Sequence, residues 1–414
     1  EILVKARISH ALCDERLQEE LENARPSAPE LEQIGYFNDT AAAEVEERMA
    51  GKPIDFAPYD SASDDVCLIA FTSGTTGRPK GTMHFHRDLL AICDGFSRMI
   101  LRPDPDDIFC GSPPLAFTFG LGGLALFPLD AGASVLLLER APPGELVKAI
   151  ARFSATICFT APTAYRAMLS ELGQYDISSL RRAVSAGEHL PSATFEAFHQ
   201  ATGIRLIDGL GSTEMLHVFV TAREEDIRPG ATGRALTGYT VAVLAADGSE
   251  LPAGEVGQLA VKGPTGCRYL ADERQKTYVQ DGWNLPGDAA HLDEDGYVWY
   301  DARTDDMIVS SGYNIGAPEV ENALLKHPAV SECAVVGKPD SQRGSIIKAY
   351  VVTGASVVAG PDLVTVLQEH VKQVIAPYKY PRQIEFVDGL PKTGTGKIQR
   401  FRLRERAAAQ GERE

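Results

Sequence analysis

Between residues 66 and 210, near-continuous apolar runs of strand length alternate with amphipathic segments of helix length. The runs are VCLIAF at 66, ASVLLLE at 133, ATICFTA at 155, RRAVSAG at 181 and RLIDGLG at 205. Between them stand HRDLLAICDGFSRMI, PGELVKAIARF, TAYRAMLSEL and SATFEAFHQAT. Each of these carries apolar residues three or four apart, the spacing that lines one face of a helix. Strands with little polar alternation are buried on both faces, so the pattern predicts a parallel sheet covered by helices, an α/β fold.

The pattern changes over residues 231–262, where the turns DGSE and PAGEVG separate the alternating stretches TVAVLA and GQLAVKG. This predicts a small antiparallel β part attached to the α/β body. After RTDDMIVSSGYN a new mixture begins, with ECAVVG, IKAYVV, a helix over 361–375 and QIEFV. A boundary near residue 304 therefore divides a large domain, 1–304, from a small α+β domain, 305–414. The tail RLRERAAAQGERE reads as a charged helix end or a frayed terminus, solvated rather than functional.

Composition narrows the class. The chain has 414 residues, is 44% hydrophobic and carries a net charge of −17. That field repels polyanions, which argues against nucleic acid and anionic membrane as partners. No apolar run is long enough to span a bilayer. The seven cysteines are odd in number and scattered, the pattern of reduced thiols rather than of a disulfide framework or zinc site, and they point to a cytoplasmic protein. The close histidine pair, His84 and His86, has no further ligand at metal spacing. No targeting leader is expected at the start of the chain.

The sharpest local feature is FTSGTTGRPKG at residues 71–81, which follows the apolar run at 66. A strand, a glycine-rich loop and then a helix would present free N–H groups to an anion. The loop fits neither the Walker pattern nor a dinucleotide fingerprint. On composition alone, a flexible surface turn remains equally open.

The string TSGTTGRPKG resembles the phosphate loop of the adenylate-forming superfamily of acyl-CoA synthetases, adenylation domains and luciferases. The resemblance continues in order through DGLGSTE (208–214), GWNLPGD (282–288), ARTDDMIVSSGYNIGAPEVE (302–321) and LPKTGTGKIQR (390–400). Within that superfamily GSPPLAFTFGLGG, CFTAPTAYRAML, SAGEHLP and GPTGCRYLAD look most like benzoate and 2-aminobenzoate CoA ligases. It implies two half-reactions: a carboxylate attacks the α-phosphorus of ATP to give acyl-AMP and pyrophosphate, and the thiol of CoA then displaces AMP. The partners implied are an aromatic carboxylate, ATP and CoA, with Mg²⁺ as cofactor; a monomer and a homodimer are both compatible with it.

By the same resemblance, Thr72, Ser73, Gly74, Thr75, Thr76, Gly77 and Lys80 hold the β- and γ-phosphates. Asp208, Gly209, Leu210 and Gly211 belong to the nucleotide site, Leu210 standing where many relatives carry tyrosine. Thr213 donates to the α-phosphate, and Glu214 is the carboxylate that holds Mg²⁺. Asp288 accepts from the ribose hydroxyls, and Arg303 is a second ribose or phosphate contact; Pro286 replaces a usual threonine. Lys397 bridges the substrate carboxylate and α-phosphate. Phe119, Ser185, Ala186, Gly187 and Gly211 form the acyl pocket. Asp305 is the hinge about which the mobile small domain turns, bringing Gly312 and Tyr313 to the CoA side.

The resemblance also implies that relatives carry a longer segment ahead of the loop than the 70 residues found here. Three readings follow: an aryl-CoA ligase; another acyl-CoA synthetase, of medium-chain acids for instance, or an acyl-AMP former that loads a carrier protein; and an inactive adenylate-binding fragment.

Overall fold

The computed structural model describes residues 1–38, 44–73, 79–340, 342–354, 357–392 and 397–411. Its contacts divide the chain into two compact units, Glu1–Leu90 with Cys267–Thr277, and Ala91–Gly266 with Tyr278–Glu414.

In the first unit, His10–Asp14 pairs in parallel with Gln33–Phe37. Val66–Ser73 pairs antiparallel with Pro79–Phe85, with Thr72 opposite Lys80. The run at 66 is thus one arm of a hairpin, whereas its apolar character suggested a parallel strand. The loop that follows leads into a strand, and the helix begins only at His86. Gly81 O and Arg268 O tie the returning strand to the segment 267–277, through Leu270 N at 2.8 Å and Met83 N at 2.7 Å.

The second unit is built on a seven-stranded sheet. Its order is Arg234–Ala235, Val218–Thr221, Ile207–Gly211, Arg182–Ala186, Ile157–Thr160, Ile108–Gly111 and Ser134–Leu136. The last five are mutually parallel, and the first two run antiparallel at one edge. The helix Pro143–Phe153 shows why the sequence folds this way. Proline stands in its first turn, where no intrahelical N–H is needed, and Leu146, Val147, Ala149 and Ile150 are buried on one side. Leu146, Val147 and Ile150 join Tyr165, Phe195 and Phe198 in a core against the sheet. The Tyr165 hydroxyl lies within hydrogen-bond distance of Cys158 O (3.0 Å) and Val184 O (3.1 Å), so this large, fully buried side chain bridges two strands without an orphaned polar group.

Thr240–Leu244 and Gly257–Lys262 pair in the antiparallel sheet that the alternation at 231–262 predicts. Asp288–Leu292 and Val298–Arg303 extend it. Toward the C-terminus, Val330–Asp340 lies antiparallel to Gly344–Thr353, which pairs in parallel with Gln383–Phe386. The helices Ala317–Leu325 and Pro361–Val374 pack on this sheet around Val320, Leu324, Val351, Leu367 and Val371. The fold is α/β with parallel and antiparallel sheets, as the sequence pattern predicts. All seven cysteines are free thiols, and among the described residues no helix is long and apolar enough to cross a membrane.

Candidate active site

In the second unit, polar and charged groups gather where strands end. The strands Arg182–Ala186 and Ile207–Gly211 are parallel neighbours, and the loops leaving their carboxyl ends carry Gly187, Glu188 and His189, and Ser212 and Thr213. Such carboxyl ends are where ligands bind in open α/β sheets. These loops border a cavity of about 390 Å³, whose lining also includes Asp208, Asp288, Arg303 and Lys397. Leu210, Gly209 and Gly211 line it too.

The charged groups are mutually arranged. Arg303 Nη1 donates to Asp288 Oδ1 at 3.0 Å and to Pro286 O at 2.9 Å. Pro286 thus contributes its backbone carbonyl, which needs no side-chain hydroxyl. Gly287 between them has φ +83°, and a Cβ there would stand 3.0 Å from Arg303 Nη2. Asp208 is a half-buried acid in the cavity wall whose carboxylate is enclosed by protein: loss of water pushes its pKa up to about 7, opposed by Thr232 and the Gly209 backbone, and its Oδ1 finds no partner among the described residues. Lys397 is exposed as a residue, yet protein atoms around its ammonium strip part of its water and push it below its ordinary value. Glu188 opposes that shift, and Arg303 adds to it.

Three residues not singled out in the sequence share the cavity. His189 and Tyr300 stack at 5.7 Å with 18° between their planes, an aromatic surface facing the cavity that Leu210 does not supply. Arg400 donates to both carboxylate oxygens of Glu321, at 2.8 and 2.9 Å, and its charge is favoured by that pairing.

Glu214, buried, follows Thr213 but does not itself line the cavity; nor do Phe119, Ser185 and Ala186. Ser185 and Ala186 lie within the sheet. Phe119 packs instead on His217, with ring centroids 5.8 Å apart, and on Phe159 at 5.5 Å. His217 is 3% exposed and also meets Phe96 and Phe127. Burial drives its pKa down to about 3 against a weaker pull from the Phe119 backbone, so the imidazole is neutral, and among the described residues neither ring nitrogen closes a well-formed hydrogen bond. Gly122 makes room for it: a Cβ there would lie 2.5 Å from His217 Cδ2. Gly122 opens a π-helical turn, Gly122–Leu126, a wide turn that recurs at functional sites.

Gly312 and Tyr313 lie away from this cavity, in the hairpin that joins Ile308–Ser310 to Tyr313–Ile315. Tyr313 is exposed and stacks on Tyr378 at 4.5 Å. Asp305 is in the short turn Thr304–Asp306, and its side chain lies outside the described residues. Gly74, Thr75, Thr76, Gly77 and the side chain of Ser73 lie outside them as well. In the first unit, Lys80 Nζ donates to Tyr269 OH at 2.9 Å, and Thr72 Oγ1 is buried without a partner among the described residues.

A parallel sheet with a charged cavity at its strand ends, built from these motifs, defines an adenylate-forming enzyme. The chain belongs to the family of AMP-binding enzymes: residues 1–269 match that family, and residues 319–397 match the AMP-binding enzyme C-terminal domain. It is 39% identical to a benzoate–CoA ligase of Thauera aromatica over 84% of this chain and 67% of that one. It is 40% identical to an uncharacterized acyl–CoA ligase of Bacillus subtilis, over 85% of this chain and 68% of the other. The crystal structure of an anthranilate CoA ligase in complex with anthranoyl-AMP superposes with a TM-score of 0.94 at 36% identity, over 99% of this chain and 80% of that one. The chain is therefore an acid–thiol ligase, an aryl-CoA ligase or acyl-CoA synthetase in the broad sense, with small-molecule substrates.

Proposed function

We propose that the protein is an ATP-dependent aryl-CoA ligase acting on benzoate or 2-aminobenzoate in the cytoplasm. The observation that carries this reading is the gathering of Lys397, Asp208, Thr213, Asp288 and Arg303 around one cavity. In the first half-reaction a carboxylate oxygen attacks the α-phosphorus of ATP, and the bond to the bridging oxygen breaks as pyrophosphate leaves. Negative charge builds on the α-phosphoryl oxygens, where the Lys397 ammonium and the Thr213 hydroxyl stabilise it. Asp288, its orientation fixed by Arg303, accepts from the ribose hydroxyls. The unpartnered oxygen of Asp208 suits the amino group of adenine, and the His189–Tyr300 stack offers the base an aromatic neighbour.

The loop 72–80 holds the departing pyrophosphate. Because a strand follows it, its hold on anions comes from loop N–H groups, hydroxyls and Lys80 rather than from a helix end. Glu214, the residue after Thr213, would hold a Mg²⁺ together with phosphate oxygens and water. That ion would neutralise phosphate charge.

In the second half-reaction the CoA sulfur attacks the acyl carbon, AMP leaves and the thiol proton passes to solvent. Residues 305–414 turn about Asp305 between the two steps, withdrawing Lys397 and bringing Gly312 and Tyr313 to the site. The acid is aromatic because Phe119 and Gly211 adjoin His217, whose ring stands amid Phe96, Phe119 and Phe127.

Incubation with ATP, Mg²⁺, CoA and a mixture of benzoate, 2-aminobenzoate and hexanoate tests the reading, with products identified by mass. AMP together with an aryl-CoA is expected. Hexanoyl-CoA as the dominant product would replace the aryl reading with the medium-chain one, and bound nucleotide without AMP formation would indicate a binding protein. Lys397→Ala is expected to lower acyl-AMP formation at least about hundred-fold while sparing ATP binding; unchanged acyl-AMP formation overturns its role.

A further inference from the structure

Glu188 follows Gly187 on the loop that leaves the strand Arg182–Ala186. One of its carboxylate oxygens accepts the backbone N–H of Ile398 at 3.0 Å, across 210 residues of sequence. Ile398 is the residue immediately after Lys397. Beneath the lysine stem, Gly187 has φ +91°, and a Cβ there would stand 2.9 Å from Lys397 Cε and 3.2 Å from Nζ. The lysine therefore lies over a position that must lack a side chain, and its neighbour's amide is held by a carboxylate.

Other contacts cross the same seam without touching the lysine segment. Arg166 donates from Nε to Ser331 O at 3.0 Å and from Nη2 to Val330 O at 3.2 Å. Ser192 Oγ donates to Asn322 Oδ1 at 3.1 Å. These join residues 166–192 to residues 322–331 and leave the Lys397 segment itself untouched. Glu188 acts at the lysine itself. A charged acceptor makes about twice as strong a hydrogen bond to a backbone N–H as a neutral one does. Burial raises the carboxyl's pKa, which the Ile398 N–H, Arg400, Thr163 and Lys397 counter, so the contact fixes geometry without a large surplus of stability.

We propose that Glu188 is a positioning residue for acyl-AMP formation: it seats the Lys397 segment so that the ammonium enters the cavity, and its release frees the lysine for the second half-reaction. This rests on the adenylate-forming function proposed above. Positioning of this kind acts on one step only, because a misplaced group forfeits much of the advantage of proximity in the step that uses it.

The test uses the full chain as wild type, Glu188→Ala and Glu188→Gln. It measures acyl-AMP formation from ATP and benzoate, CoA-dependent consumption of supplied benzoyl-AMP, and hydrogen exchange of the Ile398 amide. Glu188→Ala is expected to slow acyl-AMP formation by about ten- to hundred-fold, keep benzoyl-AMP consumption within about two-fold and lose protection at Ile398. Glu188→Gln, whose amide oxygen still accepts, is expected to keep that protection and recover most of the rate. Equal loss of both half-reactions, no loss in Glu188→Ala, or a glutamine variant no better than the alanine one overturns the inference. If wild type forms no acyl-AMP, the function proposed above fails, and the exchange measurement still decides here: unchanged protection in Glu188→Ala overturns the seat.

Discussion

At the scale of single residues, Asp208 links the site to stability. Its pKa rises from 3.8 to about 7 on folding, so between those values the folded state binds more protons than the unfolded chain. The sign follows: below the lower value Asp208 costs nothing, and stability falls as pH rises through the window. Asp208→Asn is therefore expected to raise the melting temperature at about pH 8, with the gain vanishing near about pH 4; a gain independent of pH refutes the assignment. His217 bears on selection of the acid. A neutral imidazole offers one donor and one acceptor, and among the described residues neither nitrogen closes a well-formed hydrogen bond. His217→Phe is expected to shift kcat/KM toward benzoate over 2-aminobenzoate by about ten-fold, the worth of one hydrogen bond, measured by direct competition. Lys397, Thr213, Asp288 and Arg303 were legible because they stand in ordered motifs. His217 was not, because in MLHVFV it reads as one polar position within an apolar strand. What defines it is four phenylalanines from residues 96 to 159 and one glycine, brought together only by the fold. Phe159 reaches it through Phe119. Glu188 was similarly hidden, since its partner is a backbone amide far along the chain.

At the scale of elements, the periodicities carried most of the architecture. PGELVKAIARF and SATFEAFHQAT are the helices Pro143–Phe153 and Ser192–Thr202 residue for residue. The strand at residue 66 was the exception. VCLIAF lacks alternation, yet it forms a hairpin arm, because apolar content reports burial and not the direction of the partner strand. The hairpin at Ser311 and Gly312 makes a sharper case. Both have positive φ, 51° and 83°, as a two-residue turn of the mirror-image type requires. A Cβ at Gly312 would meet nothing within 4 Å, so the glycine is needed for its backbone alone. Gly312→Val is expected to strain this turn by about 1–3 kcal/mol and to slow thioester formation about ten-fold. Acyl-AMP formation should stay within about two-fold when the half-reactions are measured separately; slowing of both alike would remove Gly312 from the CoA side.

At the scale of the whole molecule, a net charge of −17 opposes the arrival of ATP and CoA, both polyanions, while the cavity itself presents Lys397, Arg303 and Arg400. Attraction is local and repulsion is long-ranged. Raising ionic strength from about 10 to about 150 mM shortens the Debye length from about 30 to 8 Å, which screens the repulsion more than the contact pairs. The KM for ATP is expected to fall over that range at constant kcat; a steady rise would mean that the cavity's cations dominate the approach. The placement of the site at the ends of two neighbouring strands has a further consequence for how such a molecule can change. The cavity is lined by the ends of these strands, the loops beyond Ala186 and Gly211 and the groups that face them, while Tyr165, Phe198 and Ile150 belong to the core packed on the sheet. The scaffold and the reagent groups are thus inherited as separable parts. A lineage can exchange one carboxylic acid for another by altering a few loop and aromatic positions, leaving the core that folds the chain untouched.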